Sequence, residues 1–217
     1  MPTLEQQLSD YLVGFKQRAP KERVAMMEAA TDALRKTGIE QTALALGANL
    51  PDVELIDVHE QPVNLLNLHA KKPLIVIFYR GGWYPYCNLE LRHWQNELAQ
   101  LHDNGIQLIA ISPQRPDNSL STIEKNELAY PVLSDSALQA AEKFGIAFTL
   151  PPELVELYGS VGNDLPTING NGQWVLPIPA TFAFDAEGKV IYRHVESDYR
   201  LRAEPQTVID LVRNSMR

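Results

Sequence analysis

The single cysteine of the chain, Cys87, sits in Arg80-Gly81-Gly82-Trp83-Tyr84-Pro85-Tyr86-Cys87-Asn88-Leu89-Glu90, a stretch dense in groups that can do chemistry. Pro85 pre-sets φ for a helix start, which puts the sulfur two residues later in the first helical turn. There the exposed backbone N–H groups and the positive end of the helix dipole favour a thiolate over a thiol. Arg80 can add positive charge that lowers the thiol pKa and steadies an oxygen leaving group; a solvated arginine at a strand end is the competing reading. Trp83, Tyr84 and Tyr86 make an aromatic wall near the sulfur, or they simply pack. A cysteine without context is most simply a small buried hydrophobe. The glycine pair and the proline argue here for a reactive one.

Such a thiol needs a rigid strand before it and a helix after it. Leu74 to Tyr79 is a short, β-branched, apolar run preceded by Pro73, which reads as a buried central strand. Asn88 to Asp103 reads as a helix with Leu91, Trp94, Leu98 and Leu101 on its apolar side, closed by Asn104-Gly105. Upstream, Thr3-Leu4-Glu5-Gln6 is a capping box opening a first helix, and Pro20 opens a second that Gly38 ends. Both are too marginal to stand alone, so they pack on the main domain or on a second subunit, which leaves a homodimer open. The expected boundary falls near Ala45 to Pro51, giving a helical extension over 1–46 and a main domain over 47–217. In that domain Val53–Val58, Ile106–Ser112 and Tyr130–Leu133 read as strands, and Ala137–Phe144 as a helix. Ser121-Thr122-Ile123-Glu124, or Ser119, offers the cap of another helix. Phe148 to Trp174 reads as a long loop with a helical turn around Glu153 to Tyr158. Phe182–Asp185 and Val190–Val195 form a hairpin, and Pro205 starts a closing helix.

The 217 residues suffice for one full core plus an appendage. A net charge of −8 argues against nucleic acid and anionic membrane as partners. No basic, apolar leader opens the chain and no apolar run approaches a membrane-spanning length. One cysteine forbids an intrachain disulfide, which fits a reducing cytosol, so a cytoplasmic globular protein is expected. No metal or cofactor is expected. The five histidines lack ligand spacing, Gly159-Ser160-Val161-Gly162 lacks the spacing of a nucleophile elbow, and no phosphate-binding glycine loop occurs.

The stretch Phe78-Tyr79-Arg80-Gly81-Gly82-Trp83-Tyr84-Pro85-Tyr86-Cys87-Asn88-Leu89-Glu90-Leu91-Arg92 resembles the active-site segment of the alkyl hydroperoxide reductase/thiol-specific antioxidant (peroxiredoxin-like) branch of the thioredoxin-like superfamily. Many members read F-Y-R-G-G-W-C-P-Y-C-N-L-E-L-R, and Tyr84 alone departs. Ala110-Ile111-Ser112-Pro113-Gln114, Leu133-Ser134-Asp135, Pro179-Ala180-Thr181-Phe182 and Asp198-Tyr199…Arg202-Ala203-Glu204-Pro205 extend the likeness over most of the chain. It implies an α/β thioredoxin-like fold, a central mixed β-sheet flanked by helices, behind the helical extension. It implies that Cys87 is the peroxidatic residue and that Glu90 completes the C-x-x-E pattern. The threonine that usually binds thiolate and peroxide is replaced by Tyr84, and the usual upstream proline by Arg80. Trp83, Pro85 and Pro179 line the substrate side, and Ile178-Pro179 is expected to be cis as in thioredoxins. Arg202 is a second candidate cation, unless it merely pairs with nearby Glu204. Matched instead to thioredoxins, Cys87 is only the second cysteine of W-C-x-x-C.

The activity implied is reduction of hydrogen peroxide or an organic hydroperoxide, with sulfenic acid formed on Cys87. Without a resolving cysteine, an outside thiol such as glutathione or a thioredoxin-type protein must complete the cycle. The alternative is a thioredoxin-fold protein that lost its first cysteine at Tyr84 and serves as a non-catalytic binding or structural module.

Overall fold

The computed structural model describes residues 2–216. Thr3 caps the first helix as expected: its side chain accepts from the Gln6 N–H while Gln6 reaches back to the Thr3 N–H. Helices α1 (Leu4–Arg18), α2 (Lys21–Lys36) and α3 (Ile39–Thr42) precede β1 (Glu54–Ile56), β2 (Pro62–Asn64) and α4 (Leu65–His69). The central run follows as β3 (Leu74–Phe78), then α5 (Pro85–Asn96), α6 (Leu98–Asp103), β4 (Gln107–Ser112), α7 (Pro116–Asn126), β5 (Val132–Ser134) and α8 (Gln139–Lys143). Then come β6 (Ala147–Thr149), α9 (Pro152–Ser160), α10 (Leu165–Asn169), β7 (Val175–Pro177), β8 (Ala180–Phe184), β9 (Val190–Val195) and α11 (Pro205–Ser215).

Seven strands form one mixed sheet in the order β2-β1-β5-β4-β3-β8-β9, and β6 pairs with β7 apart from it. β3 is inner on both sides, parallel to β4 and antiparallel to β8, which is why all five of its residues are buried and its sequence does not alternate. Its side chains still alternate between two cores. Ile75, Ile77 and Tyr79 join Leu91, Trp94, Val208 and Val212 on one face. Leu74, Val76 and Phe78 join Phe144, Phe182 and Phe184 on the other. The expected mixed sheet flanked by helices is therefore present.

Helix α1 belongs to the first core, with Leu4 and Leu8 buried in the cluster that holds Cys87 and Leu91. α2 contributes Ala30 to a third cluster with Leu150, Leu154 and Leu176.

Four expectations are corrected. The long helix over Asn88–Asp103 is two helices, starting at Pro85 and breaking at Glu97, whose φ and ψ of −90° and 0° bend the chain. Neither Ser119 nor Ser121 caps α7; Arg115 occupies the cap and Pro116 the first turn, while the Ser119 hydroxyl bonds that of Ser134. The helical turn expected around Glu153 to Tyr158 is present as α9, but the rest of 148–174 is not a plain loop, since α10 lies within it and β6 and β7 clamp its ends. Ile178-Pro179 is trans, as are all described peptide bonds, and the Ile178 N–H is held by the Ile146 carbonyl. No described helix is long and apolar enough to cross a membrane.

Candidate functional site

Where β3 ends, the two glycines are required by space. Gly81 has φ +151° and a Cβ there would lie 2.3 Å from the Trp83 Nε1; a Cβ on Gly82 would lie 2.3 Å from the Thr122 hydroxyl. The loop so formed is tied on both sides. The Gly82 N–H donates to Gln114 at 2.8 Å, and its carbonyl accepts from Asn88 Nδ2 at 2.9 Å. Asn126 then donates to Asn88 Oδ1 at 2.9 Å and accepts from Arg92 at 2.7 Å, anchoring the start of α5 to α7.

Tyr84 is the N-cap of α5 and Pro85 its first residue, so Cys87 lies in the first turn as the spacing predicts. The Tyr84 carbonyl accepts from the Cys87 N–H at 3.0 Å. The sulfur has no solvent exposure. Among the described residues one charged group reaches it: Arg202 Nη2 approaches Sγ at 3.7 Å. Arg202 Nε also donates to Glu90 Oε2 at 2.7 Å, in a pair whose side chains are 1% and 0% exposed. The remaining Arg202 nitrogen donates to the Tyr199 and Leu201 carbonyls, so the guanidinium is fixed in position and direction. Glu90 follows Cys87 by three residues and therefore shares its face of α5.

Burial raises the Glu90 carboxyl against the attraction of Arg202, and its Oε1 has no hydrogen-bond partner. Burial also opposes the charge on Arg202, but the Glu90 carboxylate and the Cys87 sulfur outweigh it and hold its pKa above the ordinary value. His194, near Arg202, is depressed first by burial and then by that cation.

Three of the four residues expected to be catalytic, Cys87, Tyr84 and Glu90, are brought together; Arg80 is placed differently. It is 3% exposed, which overturns the solvated reading, and it makes no hydrogen bond to the sulfur. Its guanidinium carbon instead lies 5.1 Å from the Tyr199 ring, 5.4 Å from Phe148 and 5.5 Å from Tyr84. Arg202 takes the place at the sulfur, and it pairs with Glu90 rather than with Glu204. Glu204 accepts the Leu4 N–H at 2.6 Å and so ties α1 to the chain before α11.

The aromatic wall is real. Tyr84 stacks within 5.1 Å of Trp83, 5.9 Å of Tyr86 and 5.5 Å of Tyr199, and Tyr11 of α1 meets Tyr86 at 4.9 Å. Burial raises the phenol pKa of both Tyr84 and Tyr86. Pro85 is exposed and Pro179 buried. Sequence reasoning missed Tyr199 and Tyr11, which close the wall from the other end of the chain and from the extension. Among the described residues no group of three or more His, Cys, Asp or Glu is placed to hold a metal ion.

The model of the AhpC/TSA family matches residues 46–193. A relative in Haemophilus influenzae named putative peroxiredoxin bcp is 33% identical over 103 residues, 48% of this chain and 66% of that protein. Peroxiredoxin Bcp of Escherichia coli is 24% identical over 167 residues, 77% of this chain and 94% of its own length. Among solved structures, peroxidoxin BcpB of Mycobacterium tuberculosis superposes with a TM-score of 0.61 at 19% identity, covering 79% of this chain and 97% of that one. Reduced Prx3 of Vibrio vulnificus in complex with hydrogen peroxide gives 0.61 at 17% identity, covering 78% and 99%. These superpositions bear on the fold, which is thioredoxin-like.

Proposed function

Because the chain belongs to the AhpC/TSA family, we propose that it is a cytoplasmic one-cysteine thiol peroxidase that reduces hydrogen peroxide or small organic hydroperoxides. The observation that carries this reading is the Glu90–Arg202–Cys87 line: a fixed guanidinium set on the only thiol, at a helix start.

In this mechanism the Cys87 sulfur, as thiolate, attacks the distal oxygen of the hydroperoxide. An S–O bond forms as the O–O bond breaks, and the sulfur is oxidised to sulfenic acid while the leaving oxygen departs as hydroxide or alkoxide. Arg202 stabilises charge first on the sulfur and then on that oxygen, which takes its proton from water. Glu90 orients Arg202 and touches no reacting atom. An outside thiol then attacks the sulfenic sulfur, releasing water and leaving a mixed disulfide that a second thiol reduces. Glutathione or a thioredoxin-type protein fits that role, since no second cysteine exists in the chain. With the sulfur sealed, the side chains around it must part for the peroxide to enter.

The non-catalytic reading is disfavoured. A binding module gains nothing from a buried ion pair aimed at a thiol, because burying such a pair costs more than packing apolar side chains there.

Mass spectrometry of the intact chain after limited hydrogen peroxide tests the proposal. Addition of one oxygen to Cys87, removed by an added thiol, is expected, with peroxide consumption abolished in Cys87→Ser. Unchanged consumption in Cys87→Ser would overturn it.

A further inference from the structure

Arg80 is a buried cation that the thiol chemistry does not use. Its Nε is sealed from solvent without an acceptor, and its terminal nitrogens, which hydrogen-bond to no described residue, keep some accessible surface at the cavity. No described carboxylate pairs with it. Guanidinium groups carry five donors in one plane, and aromatic faces satisfy the charge but not those donors. Leaving such donors unmet in a low-dielectric site is costly, so a built arrangement of this kind calls for an acceptor.

The surroundings indicate where the acceptor comes from. Arg80 lines a cavity of about 170 Å³ between α2, the β6–α9 segment and the turn after β9. It is the only charged residue on the walls, which are otherwise mainly apolar, with Ala30, Leu34, Phe148 and Leu154 among them. Tyr158 is also there, and its hydroxyl makes no hydrogen bond to a described residue. A second cavity of about 140 Å³ shares Met27, Tyr158 and Tyr199 with the first and extends along Trp83, Tyr84 and Pro85.

We propose that the Arg80 cavity is an anion site that takes the carboxylate of a small ligand with an apolar body. A single cation at the end of an apolar chamber selects one negative charge joined to hydrocarbon. A multiply charged phosphate would meet too few donors and too much apolar wall. The carboxylate lies against Arg80, with the Tyr158 hydroxyl as a second donor, and the apolar body lies among Ala30, Leu34 and Leu154 or runs toward Trp83. This site does not depend on the peroxidase reading, because its readout is binding.

Isothermal titration with hexanoate, and with hexanamide as the uncharged match, tests it on the wild-type chain and on Arg80→Met. Hexanoate is expected to bind wild type at least tenfold more tightly than hexanamide does, and Arg80→Met to weaken hexanoate at least tenfold while leaving hexanamide unchanged. Equal affinity for the two probes, or hexanoate affinity untouched by Arg80→Met, would overturn the proposal. Should Arg80→Met fail to fold, the comparison of the two probes on wild type decides alone.

Discussion

Replacing the buried pair in steps separates what Glu90 and Arg202 do for the fold from what Arg202 does for the sulfur. Both side chains are sealed, at 0% and 1% exposure, and meet at 2.7 Å. Unit charges ~4 Å apart attract by about 4 kcal/mol at an effective dielectric of about 20, roughly offsetting their desolvation. Arg202→Met leaves a carboxyl for which burial is the one remaining strong influence, so it takes up a proton, and the fold loses about 3–5 kcal/mol. Glu90→Met leaves a buried guanidinium and costs a similar amount. The double variant buries two apolar chains of similar volume, so its stability returns to within about 1 kcal/mol of wild type. Catalysis follows a different pattern. Arg202 is a donor to the reacting atoms, and loss of one such donor typically costs about 10²–10³ in rate. The double variant is therefore stable and slow. Urea unfolding and stopped-flow peroxide consumption, run on all four proteins, give both halves. A double variant with wild-type kcat/KM for peroxide would refute the placement of Arg202 in the chemistry. An Arg202→Met chain as stable as the double variant would refute the coupling of the pair.

Tyr84→Cys, which removes a ring packed on Trp83, Tyr86 and Tyr199, is expected to lower stability by about 3 kcal/mol. It should still form a disulfide with Cys87 on mild oxidation, and a thiol assay finding two free thiols in the folded, oxidised variant would refute that. Leu8→Ala should cost about 2–5 kcal/mol in urea unfolding, because Leu8 is buried in the cluster holding Cys87. A negligible cost would show α1 to be undocked. Burial pushes the Asp135 carboxyl up to about 6, despite donation from the Ala140 and Ala141 N–H groups. Since the folded chain then holds that proton at higher pH than the unfolded chain does, wild-type stability relative to Asp135→Asn should fall by up to about 3 kcal/mol between pH ~4 and ~6.5. A difference that is flat or rising over that window would refute the assignment.

The thiol loop was legible in the sequence because each of its parts is local. A continuous apolar run marks an inner strand, a glycine pair marks tight packing, and a proline marks a first turn. The misreadings share the opposite cause. Ser119 and Ser121 look like caps, but Pro116, which tolerates the missing N–H of a first turn, starts α7 earlier. Around 148–174 only the helical turn at Glu153 to Tyr158, now α9, was legible; the five-residue helix and the three-residue strands at its ends are too short for either period to register. Arg202 could not be assigned because its partners are Glu90 and Cys87, 112 and 115 residues away. Proximity in sequence pointed to Glu204, yet 201–204 is not helical, and Glu204 turns to the α1 N-terminus instead.

That long-range closure divides the site into a stiff part and a soft one. Arg202 is held by Glu90 and two backbone carbonyls, so the charge beside the sulfur moves only if the α5 turn and the segment before α11 separate. The rings that share the core with the sulfur have no comparable anchor. The Tyr86 hydroxyl has no hydrogen-bond partner, and the Tyr84 hydroxyl lies close to that of Tyr199 without a well-formed bond. What holds the rings is burial, ring contacts worth about 0.5–1.5 kcal/mol apiece, and, for Tyr84 and Tyr199, the Arg80 guanidinium against their faces. Swinging one ring aside therefore breaks packing but no ion pair. A peroxide that reaches Cys87 must displace buried side chains, while Arg202, fixed by Glu90, already stands at the sulfur when it arrives.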